Sequence, residues 1–227
     1  MSDTLTWLAA FATVAILVSY EMSLALAQRR RPQRLARSAH ATLREEWFRA
    51  ITAQPGTELL AVQTLRNSLM SASMTASTAV LGLMGTVTLA APSLHAGFGD
   101  AAAALPHFTP RLAIELVLLA LLFASLVSSV MAVRYYNHAG FISAIPTGSD
   151  ARVRWGPAGT AYVRRAGLLY SWGLRHLILV VPIVAFILYP PAGPAGALLV
   201  VGVMLSFDRF DLGQQAAGID DPRPMDR

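Results

Sequence analysis

The chain has 227 residues, 55% of them hydrophobic and 14% charged, and its formal net charge of +5 comes entirely from arginine on the basic side, with 18 arginines and no lysine. That composition excludes a soluble basic domain of this length and suits one helical bundle, while the absence of cysteine excludes disulfides, thiolate metal sites and cysteine nucleophiles. The arginines border long apolar stretches at 1–28, 68–110, 112–133 and 176–208, so a membrane surface accounts for the basic charge and nucleic acid is not an expected partner.

The first apolar run, Leu5 to Ala27, is long enough to cross a hydrocarbon core of about 30 Å at about 1.5 Å per residue. Ala25-Leu26-Ala27 has the small residues of a signal-peptidase site, but the run lacks a basic segment before it, contains Glu21 and is followed by Arg29, Arg30 and Arg31. It reads as an uncleaved anchor. Eight arginines fall between the first and second spans and none between 90 and 110, and the segment 134–165 again carries five. The positive-inside rule then puts the N-terminus outside and the first and third loops inside.

In the first loop, Leu43, Trp47, Phe48 and Ile51 recur at helical spacing against Arg44, Glu45, Glu46 and Arg49, which predicts an amphipathic helix over 38–54. Two placements stand open: on the inner leaflet, its arginines at anionic head groups, or packed on the bundle. Pro55-Gly56 breaks the chain, and Thr57 with Glu58 offers an N-cap and a favourable first-turn charge. From Glu58 to about Ala90 nothing breaks a helix, so the second span (66–90) is expected to start after two turns that stand clear of lipid.

The third span is Leu112 to Val133, with Arg134, Tyr135 and Tyr136 as interfacial anchor and Glu115 snorkelling to water one turn inside the outer edge. The C-terminal region reads as two helices, 168–189 and 195–208, around a Pro-rich turn at Pro190, Pro191 and Pro194. An antiparallel hairpin brings Arg175 to the depth of Asp208 to Asp211, and pairing with Asp208 or Asp211 would neutralise a costly intramembrane charge. Pro182 is expected to kink the first of these helices. The second is short, leaving a full crossing and a re-entrant hairpin both open. Gly156-Pro157-Ala158-Gly159 and Pro191 to Gly196 read as loop segments. The expected fold is all-α: one polytopic transmembrane bundle over 1–227, four long helices plus a short C-terminal helix that forms a hairpin.

Within the second span, Ser68, Ser71, Thr75, Thr78, Gly82 and Gly85 alternate by three and four and form one small, polar stripe expected to face inward. Close helix packing and a hydroxyl-lined path for water, an ion or a solute both fit it. At its inner end Arg66 is expected to pair with Glu21 while Asn67 bridges helices; left unpaired, Arg66 or Arg175 would offer a guanidinium to an anionic solute or head group. His40, His95, His107, His138 and His176 are scattered, with no metal-ligand spacing, and no nucleotide or hydrolase motif appears. No metal or cofactor is therefore expected.

Glu46-Trp47-Phe48, then Ala61-Val62-Gln63-Thr64-Leu65-Arg66-Asn67 and the Ser/Thr-rich 72–79, resemble the bacterial membrane family named domain of unknown function 599. Tyr136-Asn137-His138-Ala139-Gly140-Phe141 and Trp172-Gly173-Leu174-Arg175-His176 are similar to further segments of it, and the likeness runs from about the first span to Asp208. The resemblance implies a multi-span architecture and no defined reaction. It marks Gln63, Arg66, Asn67, Asn137, Gly173 and Arg175 as family-motif positions, with His176-Leu177-Ile178 standing where the family is more aromatic. The functional expectation is a non-enzymatic component of the inner membrane, a scaffold or accessory subunit, in contact with anionic lipid and able to form a homo-oligomer. The alternative is a small oligomeric channel or transporter for an ion or anionic solute that uses the polar stripe. An intramembrane enzyme is not expected, because the acid–base groups form no constellation.

Overall fold

The computed structural model of the chain describes residues 3–30, 36–98 and 108–208. It is all-helical over them, with α1 (Asp3–Arg30), α2 (Ala36–Ala53), α3 (Glu58–Phe98), α4 (Pro110–Ser143), α5 (Asp150–Ile178), α6 (Val180–Leu188) and α7 (Ala192–Asp208). Four helical stretches, Asp3–Ala27, Glu58–Ala96, Pro110–Ser143 and Asp150–Leu188, are long and apolar enough to cross a membrane. The chain is a multi-pass membrane protein.

Length decides the architecture. At about 1.5 Å per residue, α3 is about 61 Å long, α4 about 51 Å and Asp150–Leu188 about 58 Å, roughly twice a hydrocarbon core. The arginine-flanked ends of these three helices, joined by α2, have their own apolar cluster, in which Phe48, Leu65, Ala72, Tyr136, Ile142 and Val163 are buried together. A second cluster lies in the other half of the bundle, where α1, α4, α6 and α7 meet through Leu17, Ile114, Leu118, Ile183, Phe186 and Ala197. The bundle thus has two stacked cores.

On α1 the buried positions Ala10, Thr13, Leu17, Tyr20 and Leu24 alternate by three and four, giving one inward seam on a helix that is apolar all round. Thr109 starts α4: its hydroxyl accepts from the Leu112 N–H at 3.2 Å, ahead of Pro110 in the first turn. Ser149 does the same for α5 through the Arg152 N–H at 3.3 Å. Between α5 and α6 the helix breaks at Leu179, the residue after Ile178, whose carbonyl the ring of Pro182 obstructs. A turn at Tyr189–Pro191 then returns the chain antiparallel as α7. Over its described residues, Ala192–Asp208, α7 is about 26 Å long, shorter than each of the four longer spans and within a few ångströms of a hydrocarbon core.

Several expected boundaries move. Helix α3 runs through Pro92 to Phe98, and α4 continues nine residues beyond Arg134 to Ser143, because arginine and tyrosine mark where lipid ends rather than where the helix does. The region 134–165 is mostly helical, its connection being only Ala144–Ser149. Gly156-Pro157-Ala158-Gly159 is not a loop: it lies inside α5, where Gly159 is buried against Phe48 of α2 and Ile142 of α4. Ala192–Gly196 is likewise the first turn of α7. Thr57 does not cap α3 with its hydroxyl, which instead donates back to the carbonyls of Ile51 and Gln54 at the end of α2.

Of the two placements for the amphipathic segment, α2 takes the packed one. Phe48 is wholly buried and Arg44 reaches Gly167, so α2 lies along α5 with its N-terminal end pointing toward α7, which it touches. Glu45 braces it through Arg49 and Arg164, each at 3.0 Å.

Candidate functional site

The groups brought together from most distant parts of the sequence are Tyr20 of α1, Arg175 of α5 and Asp208 of α7. Arg175 donates through one terminal nitrogen to Asp208 Oδ2 at 2.9 Å and to the Tyr20 hydroxyl, and through the other to Asp208 Oδ1. Tyr20 in turn donates to Asp208 Oδ2 at 2.6 Å. All three are buried. Glu21 acts electrostatically on both Arg175 and Tyr20, more weakly than Asp208 does. Next in sequence, His176 stacks on Trp172 with ring centroids 5.5 Å apart, one turn along the same helix.

Local sequence explains the convergence. Gly173 is buried where α5 crosses α4; the Ser125 hydroxyl donates to its carbonyl at 2.8 Å, and a Cβ there would strike Ser129 Oγ. Only glycine lets α5 come this close two residues before Arg175. Arg175 lies ten residues beyond Arg165, about 15 Å deeper into the bundle. At that depth an unpaired charge is costly, and the two-pronged contact with the Asp208 carboxylate neutralises it. Asp211 lies outside the described residues.

Arg66 and Glu21 are not brought together. Arg66 is exposed on α3, with Gln63 and Asn67 exposed beside it, and it joins none of the ion pairs found among the described residues. The reason is position: α3 packs on α4 at the edge of the bundle and scarcely meets α1. Asn67 therefore bridges no helices through a buried contact. Asn137 is also exposed, on the outward side of α4.

The polar stripe of α3 splits. Thr75 is buried and Ser68 and Gly82 are half-buried, with Leu122 of α4 at the spot a Gly82 Cβ would need. Ser71, Thr78 and Gly85 are exposed on the outward side, and nothing lies near Gly85. The inward seam is instead Ala61, Leu65, Ala72, Thr75, Ala79, Thr86 and Ala90. Each hydroxyl of the stripe donates to the carbonyl four residues back, Ser68 at 3.3 Å, Ser71 at 3.1 Å, Thr75 and Thr78 at 3.0 Å.

Two further constellations have no signature in the sequence. Arg152 is buried and donates both terminal nitrogens to the carbonyls of Ile142 and Ser143, the second at 3.2 Å, closing the free end of α4. Glu58 accepts from the Thr147 hydroxyl at 2.9 Å and its N–H at 3.4 Å, tying the α4–α5 connection to the start of α3. Glu115 does not snorkel: it is wholly buried and pairs with Arg111 at 2.9 Å. Among the described residues no cluster of His, Asp and Glu has the geometry of a metal site.

A family model described as "Protein of unknown function, DUF599" matches residues 8–211, nearly the whole chain. No curated protein and no solved structure matches it.

Proposed function

The chain belongs to the DUF599 family of proteins of unknown function, and from that premise we propose that it acts as a non-enzymatic membrane component, a scaffold or accessory subunit. The observation that carries this reading is how the intramembrane charge is used. Arg175 and Asp208 bind each other and Tyr20, and so tie α1, α5 and α7 together. The hydroxyls of Ser71, Thr75 and Thr78 are spent on their own helix, as they would be in a packing element. What projects from the bundle is the second core of α2 to α5, with Arg49, Arg66, Arg134, Arg154, Arg164 and Arg165 exposed around it. That surface suits anionic head groups and an acidic partner subunit.

In this reading the arginine-rich end lies in the cytoplasm of a bacterial cell, the membrane is the inner membrane, and the N-terminus is outside. The C-terminus is cytoplasmic. The alternative, a small oligomeric channel or transporter for an ion or anionic solute, is favoured by one observation: Ser71, Thr78 and Gly85 face outward at seven-residue spacing, where a homo-oligomer could bring them to a common axis. Reconstitution of the full chain in liposomes loaded with anions, cations or water-sensitive dye separates the two. The scaffold reading expects no flux above protein-free liposomes; flux that is lost in Thr78→Leu at normal folded yield overturns it.

A further inference from the structure

One turn apart on α2, Phe48 and Arg44 enter two glycine notches of α5, at Gly159 and Gly167. The first notch holds an apolar ring and the second a charge. A Cβ on Gly167 would lie 2.5 Å from Arg44 Nη1 and 2.8 Å from Cζ, so the guanidinium rests on the bare backbone of α5. The hydroxyl of Tyr136 on α4 has Arg44, Tyr170 of α5 and the Ser68 hydroxyl of α3 as polar neighbours. Four helices thus converge on one half-buried cation. Among the described residues Arg44 makes no ion pair, and Glu45, next to it in sequence, is shared by Arg49 and Arg164. Arg152 and Arg175 each have a sealed Nε, whereas no nitrogen of Arg44 is sealed, so a ligand can reach this guanidinium.

We propose that Arg44 is the centre of a site for one phosphate group, its guanidinium fork donating to two phosphate oxygens with the tyrosine hydroxyls beside it as further donors. Charge and depth select the group. A neutral ligand would leave the half-buried cation uncompensated, whereas a phosphate neutralises it and matches the planar fork. Gly167 lies two residues from Arg165 and Tyr136 two from Arg134, and both of these arginines are exposed. The site therefore stands where lipid gives way to water, at the level of phospholipid phosphates. A lipid head group and free phosphate share this chemistry. The inference goes beyond the scaffold reading: neither scaffolding nor flux requires a phosphate at Arg44, and the liposome result leaves the site untouched.

Native mass spectrometry of the full chain released from detergent, with dioleoylphosphatidylglycerol or dioleoylglycerol added, tests the lipid source. Calorimetric titration with inorganic phosphate tests the free one. Expected is one phosphatidylglycerol or one phosphate per chain, with the phosphate-free diacylglycerol held far more weakly. Arg44→Gln is expected to weaken binding roughly tenfold or more, the factor that about 1.4 kcal/mol gives, while Arg66→Gln, which removes an exposed arginine of α3, leaves it unchanged. Gly167→Ala keeps the charge but pushes the guanidinium off its notch, and is expected to weaken binding as well. The atoms it strikes are the far end of a flexible side chain, so where Arg44→Gln lowers folded yield, Gly167→Ala decides. If diacylglycerol binds as tightly as phosphatidylglycerol, only Arg44-dependent binding of inorganic phosphate sustains the proposal. It is overturned if neither phosphate source binds, or if Arg44→Gln costs no more than Arg66→Gln.

Discussion

Tyr20 donates its hydroxyl to Asp208 at 2.6 Å across 188 residues of sequence, and this contact joins the first helix of the bundle to the last. The same Asp208 oxygen accepts from Arg175 at 2.9 Å, so the carboxylate holds two donors from two other helices. Removing one donor tests what the contact is worth. Tyr20→Phe keeps the ring and its packing and leaves Asp208 to Arg175 alone, and it is expected to lower stability by about 1.5–3 kcal/mol, the range for a hydrogen bond to a charged group. Thermal unfolding in detergent, compared with the exposed Ser19→Ala as control, measures it; equal melting of Tyr20→Phe and the parent would show that α1 is held by its apolar seam alone.

Truncating the ion pair from one side should cost more than removing it altogether. Arg175→Ala leaves Asp208 buried and charged, and a loss of about 3–5 kcal/mol is expected, whereas Arg175→Met with Asp208→Leu replaces both charges by apolar groups and should recover most of it. Folded yield and unfolding of the singles and the double give the comparison. A double variant as damaged as Arg175→Ala would mean that Arg175 does something beyond answering Asp208.

Glycines on these helices should divide by what stands opposite them. At Gly173 a methyl group meets Ser129 Oγ and the Ser125 carbonyl at 3.3 Å, so Gly173→Ala forces α5 off α4 and should destabilise by about 1–3 kcal/mol. At Gly85 nothing is within 4 Å, and Gly85→Ala should be neutral or stabilising by up to about 1 kcal/mol from helix propensity alone. Melting temperatures of the two variants check the split, and a destabilised Gly85→Ala would reveal a neighbour on the outward face of α3.

What could be read from the sequence was the part governed by composition and spacing. Apolar runs bounded by arginine give the membrane-spanning helices, and because Pro190 and Pro191 force a turn, two antiparallel helices return Asp208 to the depth of Arg175. Tyr20 carries no such signal, because one tyrosine inside an apolar run looks like filler until its hydroxyl has a partner. Arg66 and Glu21 lie at similar depth along their helices, but depth carries no information about which helices are neighbours, and α4 holds α3 away from α1. The stripe on α3 follows residue type, whereas the buried seam is mostly alanine, so small size rather than polarity faces α4. Pro157 suggested a loop because proline breaks helices in isolation. Inside the bundle the packing of α5 on α4 and α2 outweighs the single backbone hydrogen bond it removes.

Closing the end of α4 is a separate task given to Arg152. Its guanidinium spans the carbonyls of Ile142 and Ser143, two of the groups a helix leaves unanswered at its C-terminus. Arg152→Ala is expected to cost about 1–3 kcal/mol, and to raise hydrogen exchange first in residues 140–149, while the exposed neighbour Arg154→Ala changes neither. Uniform exchange across the whole chain in Arg152→Ala would instead place the loss in global folding.

The docking of α2 rests on one aromatic ring in one glycine notch. Phe48 has no exposed surface, and its ring atoms stand 2.6 and 2.8 Å from where a Cβ on Gly159 would be, with Ile142 Cγ2 at 3.0 Å on the other side. Neither neighbour can yield, because both are enclosed in the second core. Gly159→Leu should therefore expel Phe48 and free α2 while leaving α1, α4, α6 and α7 in place, since these are held by a separate core. Overpacking of about 1–3 kcal/mol raises the open population of α2 roughly 5- to 150-fold. Trypsin reports this at Arg44 and Arg49, which lie on α2 itself, and Gly156→Leu, where nothing is within 4 Å, is the matched control. Equal cleavage of the two variants would contradict the notch, and cleavage spread into α4 or α5 in Gly159→Leu would show that the two cores melt as one.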